Sequence, residues 1–146
     1  MIMDSRLEFC DAVALNTGAA GTYLLGSQID LGTDGVNDVD SVYLVVNVDT
    51  AATSGGSATL QISLASDDTA SISTTTSTIH YTSAAIAVAS LTAGTYVSRV
   101  ELPKGTYERY LGILQITGTA AFTAGKINAF LTNDPFTGKA FPDATN

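Results

Sequence analysis

Across residues 41–48, apolar side chains fall on every second position: Val42, Leu44, Val46 and Val48 form one row, and Tyr43, Val45 and Asn47 the other. A period of two is the signature of a strand, because successive side chains leave the pleat on opposite faces. The second row is itself fairly apolar, which predicts a strand in the middle of its sheet or one covered on both sides. Residues 59–65 repeat the pattern more cleanly, with Leu60, Ile62 and Leu64 alternating with Thr59, Gln61 and Ser63. A row of this kind must be buried against another layer, and that requirement constrains the fold more than anything else in the chain.

The remaining segments agree. Residues 22–25 read as a short strand between Gly21 and Gly26, and 66–78 as a long polar loop that could hold a short strand. Ile79-His80-Tyr81 and residues 84–89 are weaker strands. In residues 95–102, Tyr96, Val100 and Leu102 are expected on one face, with Arg99 and Glu101 opposite, before a turn at Pro103-Lys104-Gly105. Residues 107–117 set Leu111, Ile113 and Gln115 against Tyr110, Leu114 and Ile116, and Gly112 marks a bulge or close approach. Residues 124–131 set Ile127, Ala129 and Leu131 against Lys126, Asn128 and Phe130. Thr, Ala, Ser and Gly dominate and only 14% of residues are charged, which leaves little from which to build helices.

Seven to eight antiparallel strands in 146 residues make one all-β domain of two packed sheets. A jelly-roll-type β-sandwich is expected, with an immunoglobulin-like sandwich as the alternative, although the Cys…Trp…Cys spacing is missing. The sandwich is assigned to residues 14–134, with a short N-terminal arm over 1–13 and a C-terminal arm over 135–146. Strand order is not readable from the sequence.

The chemical inventory is sparse. With six Lys plus Arg against fourteen Asp plus Glu, the net charge of -8 argues against nucleic acid as a partner. The apolar runs are too short for a membrane helix, and the first residues do not read as a secretion signal. One Cys and one His, Cys10 and His80, do not make a zinc site, and a nucleophilic pair would need them to converge. Asp34, Asp38 and Asp40, in a Gly-containing stretch with Asp30, are weak calcium candidates, but the spacing is not that of a calcium loop. A solvated loop with Asp side chains bonding nearby backbone explains them as well. No cofactor is expected.

Glu101 or Glu108 would have to meet His80 in a cleft for hydrolysis, and no cleft is marked. Without Trp, a sugar-stacking platform is poorly supplied. The more informative residues are apolar ones that an isolated sandwich has no evident use for. Tyr43 and Phe130 lie on second faces of strands, Leu7 and Phe9 in the N-terminal stretch, and Phe136 and Phe141 in an aperiodic tail. Such groups often mark subunit contacts.

The order of short blocks is more specific than any one of them. Arg6-Leu7-Glu8-Phe9-Cys10-Asp11-Ala12 is followed by Thr22-Tyr23-Leu24-Leu25-Gly26-Ser27-Gln28-Ile29-Asp30-Leu31-Gly32 and Val42-Tyr43-Leu44-Val45-Val46-Asn47-Val48. Then come Gly56-Ser57-Ala58-Thr59-Leu60-Gln61-Ile62, Leu91-Thr92-Ala93-Gly94-Thr95, Leu102-Pro103, Arg109-Tyr110-Leu111-Gly112 and Phe122-Thr123-Ala124-Gly125-Lys126-Ile127. Over residues 6 to about 134 the chain resembles the small capsid cement, or decoration, proteins of tailed bacteriophages, the Bbp16-like family.

The resemblance implies a non-enzymatic β-sandwich that assembles as a homotrimer. It implies a place on the outer capsid surface of the virion, at threefold and quasi-threefold positions, clamping neighbouring major capsid proteins after synthesis in the host bacterial cytoplasm. Arg109 and Tyr110 fall in the family's strongest block, where they either anchor a loop-to-strand junction or touch a neighbouring subunit. The tail from Phe136 onward is longer than the family pattern. A receptor- or carbohydrate-binding sandwich of a phage particle is the alternative.

Overall fold

The computed structural model describes residues 5–32 and 42–133. Within them lie nine strands and two single-turn 3-10 segments, Ser5–Leu7 and Val88–Ser90. The strands are β1 (Glu8–Ala14), β2 (Gly21–Asp30), β3 (Tyr43–Ser54), β4 (Thr59–Asp67), β5 (Thr78–Thr82), β6 (Ile86–Ala87), β7 (Tyr96–Glu101), β8 (Tyr110–Gly118) and β9 (Phe122–Thr132).

Pairing is nested. β1 runs antiparallel to β9, β2 to β8, β3 to β7 and β4 to β5. Successive pairs drop alternately into two sheets, ordered β1-β9-β3-β7 and β2-β8-β4-β5, with the two-residue β6 also on β4. A long antiparallel ribbon wrapped in this way is a jelly roll, the architecture expected from the alternation.

The core lies between the sheets. Leu44, Val46, Val48, Ile127, Ala129 and Leu131 enter it from the first sheet, and Leu60, Ile62, Leu64, Leu111 and Ile113 from the second. The rows read from the sequence in residues 42–48, 59–65, 107–117 and 124–131 are therefore the buried rows. Val45 on the opposite face of β3 is also fully buried, paired with Phe130, which agrees with a strand covered on both sides.

Gly112 is a close approach. A Cβ there would sit 2.7 Å from Ile72 Cγ1. Ile72 comes from residues 68–77, which fold over the outer face of the second sheet and bury Ile72 on Ala65 and Leu114. Asp67 holds this loop: its Oδ2 accepts from the Ser73 N–H at 2.9 Å and its Oδ1 from the Thr69 N–H at 3.1 Å. Those bonds depress the Asp67 pKa, the Ser73 one most. Burying one such isoleucine contributes about 2 kcal/mol.

Three expectations change. The N-terminal stretch is no arm from Glu8 onward, because β1 is an edge strand of the first sheet. In β7, Val100 and the following Leu102 pack on the core as expected, but Val97 is buried in place of Tyr96, which is 37% exposed, because a register shift opposite Val46 and Asn47 reverses the parity of the strand's first residue. Residues 84–89 yield only β6 and part of a 3-10 turn. The segment proposed as a C-terminal arm, with Phe136 and Phe141, and the candidates Asp34, Asp38 and Asp40 lie outside the described residues.

Candidate functional site

Arg109 sits immediately before β8, and Asp30 ends β2, where Asp30 faces Tyr110 in the ladder. The guanidinium donates twice to the carboxylate, Nε to Oδ1 and Nη2 to Oδ2, each at 2.9 Å. Its plane also lies over the Tyr110 ring, 5.1 Å from the centroid. The Arg109 carbonyl accepts from the Leu31 N–H at 2.8 Å, so side chain and backbone together fasten the ends of two neighbouring strands. The Arg109 hydrogen bond, followed by that from the Gly32 N–H, lowers the Asp30 pKa. Both charged side chains are nearly half exposed, so the pair also presents a charged ridge to solvent.

A second polar cluster joins β4, β5 and the loop before β8. Ser66 Oγ lies 2.7 Å from His80 Nε2 and 3.1 Å from Glu108 Oε2, and it accepts from the Glu108 N–H at 3.2 Å. Thr78 Oγ1 donates to Glu108 Oε1 at 3.3 Å. The His80 ring stacks on Tyr107, centroids 4.1 Å apart, and the Tyr107 hydroxyl donates to the Pro103 carbonyl. Burial lowers the His80 pKa, partly opposed by the Glu108 carboxylate, and burial raises that of Tyr107.

The cluster therefore unites His80 and Glu108, the residues that hydrolysis would require, and adds Ser66. Its wiring is not that of a nucleophile. Glu108 contacts the serine rather than the far side of the imidazole, so the hydroxyl proton goes to the carboxylate and Nε2–H is left to donate to Oγ. Ser66 has no exposed surface. The arrangement is a clamp that holds three segments together. Glu101 lies elsewhere, on β7 opposite Tyr43, and Cys10 is buried in β1 with its thiol pKa pushed up to about 12 by burial.

Two concavities complete the surface. A groove of about 560 Å³ runs between β1 and β2, lined by Arg6, Glu8, Asp11, Gln28 and Asp30 among others. An apolar cavity of about 210 Å³ opens at the end of the sandwich, walled by Leu31, Val42, Leu102, Tyr107, Leu111 and Leu131, with Leu7 also lining it. No group of three or more potential metal ligands occurs among the described residues.

A family model named Bbp16 matches residues 9–131, most of the chain. The chain belongs to the Bbp16 family. No curated protein matches it. The matched span begins inside β1 and ends in β9, so it takes in nearly all of the two-sheet ribbon.

The interface candidates divide by burial. Phe9, 2% exposed, is spent on the core, and Phe130, 5% exposed, is packed beside Val45. Leu7 is half-buried against the core, and Tyr43 and Tyr110 are half-buried at strand ends. Among the described candidates, Arg109 is exposed. Ser66 and Gln115 were not singled out by the sequence. Both continue inward rows, at 60, 62, 64 and at 111, 113, and a polar residue on an inward row signals a buried hydrogen-bond hub. Gln115 donates to the Asn16 carbonyl and Thr117 Oγ1 and accepts from the Asn16 N–H, at 3.0, 2.7 and 2.8 Å.

Proposed function

We propose that this Bbp16-family chain is a structural virion protein, a capsid cement protein on the outer surface of a tailed-phage shell. In this reading it works as a homotrimer at threefold and quasi-threefold positions, clamping neighbouring major capsid proteins, and it carries no catalytic step. The observation that carries the reading is the family match over residues 9–131, joined to the resemblance of the ordered sequence blocks to cement proteins.

Physical chemistry supports it. DNA pressing outward strains a shell at the seams between its subunits, and a protein that binds only the assembled state stabilises that state by linkage. Copies around a threefold axis engage several neighbours together, which multiplies weak contacts. Such work needs a stiff body. Among the described residues no buried side-chain nitrogen or oxygen lacks a hydrogen-bond partner, and the reactive residue types are tied into internal clamps.

Co-sedimentation of purified protein with compact and expanded shells tests the reading. Saturable binding at a fixed ratio, in multiples of three per site, is expected. An absence of binding to either shell form would overturn it. One feature favours the alternative, a receptor- or carbohydrate-binding module. The groove between β1 and β2 is lined by the carboxylates of Glu8, Asp11 and Asp30, the Gln28 amide and Arg6. A glycan array with the protein immobilised distinguishes the two.

A further inference from the structure

We propose that β7 pairs with β7 of a second copy, antiparallel and centred on Val100, so that the first sheets of two molecules run on as one. β7 ends its sheet: β3 lies on one side of it and, among the described residues, no strand lies on the other. The opposite end of the sheet is shut, because the Phe9 carbonyl of β1 packs on Gly26 of β2.

The backbone sets the parity of any added strand. The Leu102 N–H donates to the Val42 carbonyl at 2.8 Å, and Val100 faces Leu44 two residues along. Bonding alternates in an antiparallel ladder, so the even residues here turn their N–H and C=O groups toward β3. Arg99 and Glu101 turn theirs outward, where nothing among the described residues bonds to them. A new strand must therefore bond at these two positions.

Charge sets the register. Arg99 and Glu101 lie opposite Val45 and Tyr43 on the outer face of the first sheet, and both are exposed. The Arg99 guanidinium rests over the Tyr96 ring, 4.8 Å from its centroid. Among the described residues neither Arg99 nor Glu101 is in an ion pair. A copy centred on Arg99 sets two guanidinium groups against each other, and one centred on Glu101 does the same with two carboxylates. Centred on Val100, each Arg99 stands opposite the second copy's Glu101, and the outward backbone groups meet in bonded pairs. Charges on an edge strand ordinarily keep it single. In this order they repel the wrong registers and attract one. Pro103 has no N–H to give and stops the ladder just beyond.

The contact is isologous and uses the first sheet alone. It leaves β5 and the β1–β2 flank to a threefold ring, and it concerns the free protein, independent of shell binding.

Sedimentation of the full-length protein over a range of concentrations is the test. Self-association of the unsubstituted chain is expected, weakened several-fold by Arg99→Glu or by Glu101→Arg. Combining the two should recover it, because the exchange restores opposite charges across the axis. Both residues are exposed, so these variants leave the core alone. In Val100→Cys, mild oxidation should give a disulfide-linked dimer. Residues facing each other in a non-bonded pair have Cα atoms about 4.5 Å apart, within reach of a disulfide. Cys10, buried with its thiol pKa pushed up to about 12, does not compete. A chain that stays monomeric at every concentration would overturn the proposal. So would association that the combined exchange fails to recover, the mark of a head-to-tail contact, or a trimer indifferent to the charge changes in which Val100→Cys stays unlinked.

Discussion

Gly26 is where the two sheets meet along one side. It interrupts β2 with φ +65°, at a register shift in the β2–β8 ladder. A Cβ placed on it would lie 2.0 Å from the Phe9 carbonyl oxygen and 2.6 Å from the Cys10 sulfur. The obstacle is the backbone of β1, whose Phe9 and Cys10 are in the core, so no flexible side chain can swing aside. Gly26→Ala therefore carries two penalties. A non-glycine residue in the left-handed region costs about 1–2 kcal/mol, and forcing an extra carbon into a packed site costs about 1–3 kcal/mol more. Gly94 separates them. Its φ is +84°, and a Cβ there meets nothing within 4 Å, so Gly94→Ala bears the conformational cost alone. Urea titration should show Gly26→Ala losing about 2–5 kcal/mol and Gly94→Ala about 1–2 kcal/mol, with slopes unchanged. At about 3 °C per kcal/mol, the thermal midpoint of Gly26→Ala falls by roughly 10 °C. Equal losses in the two variants would refute the claim that β1 and β2 close against each other at this point.

Thr119 occupies the turn between β8 and β9 with φ +69° and its side chain in solvent, so Thr119→Gly should stabilise by about 1 kcal/mol in thermal melts. The one histidine gives a pH signature. His80 has its pKa lowered by burial from the ordinary 6.5, so the unfolded chain binds the proton more readily. Its stability contribution is complete above pH 6.5 and falls as acid takes the solution from there toward the folded-state value. Urea midpoints at pH 7.5 and 5.5 should differ less in His80→Gln than in the unsubstituted protein. Cys10, 1% exposed with its thiol pKa near 12, should resist a thiol reagent in the native state and react at the rate of unfolding once denaturant is added.

Periodicity made the middle of the sandwich legible and its edges less so. Residues 42–48 and 59–64 sit in strands with a partner on each side, where side-chain alternation and burial coincide. β1 escaped notice because its ladder slips twice, around Cys10 and Val13, and Ala12 takes φ +47°, its N–H donating to Asn128 Oδ1 at 2.7 Å. Alternation cannot survive two irregularities in seven residues. β2 looked four residues long for the same reason: the break at Gly26 hides its continuation to Asp30. The polar cluster was half legible. His80 and Glu108 stood out as residue types, but their meeting at Ser66 depends on pairing across 42 positions of sequence, which no local pattern encodes. Arg109 is legible through its block, yet in sequence its partner Asp30 reads as part of the acidic stretch that follows it.

Among the described residues, much of the polar chemistry is tied up in bonds within the chain, and that bears on how it can act. Ser66, Gln115 and Asp67 each bind two or more groups from distant or looping segments, and Arg109 is tied to Asp30 and Tyr110. Groups committed in this way are held still, at the cost of being unavailable for chemistry on a bound molecule. Among the described residues, what remains for a partner is shape and charge at the rim: the ridge of Arg109 and Asp30 and the groove beside β1. A threefold assembly requires two different surfaces on each copy, because rotation about such an axis brings unlike patches together. The sandwich supplies unlike sides, one closed where β1 meets β2 and the other edged by β5 and β7, bridged by the Ser98 hydroxyl donating to the Tyr81 oxygen at 2.9 Å. A stiff body with two dissimilar flanks is what head-to-tail closure into a ring asks of its subunit, and the nested ribbon is compatible with the trimer proposed above.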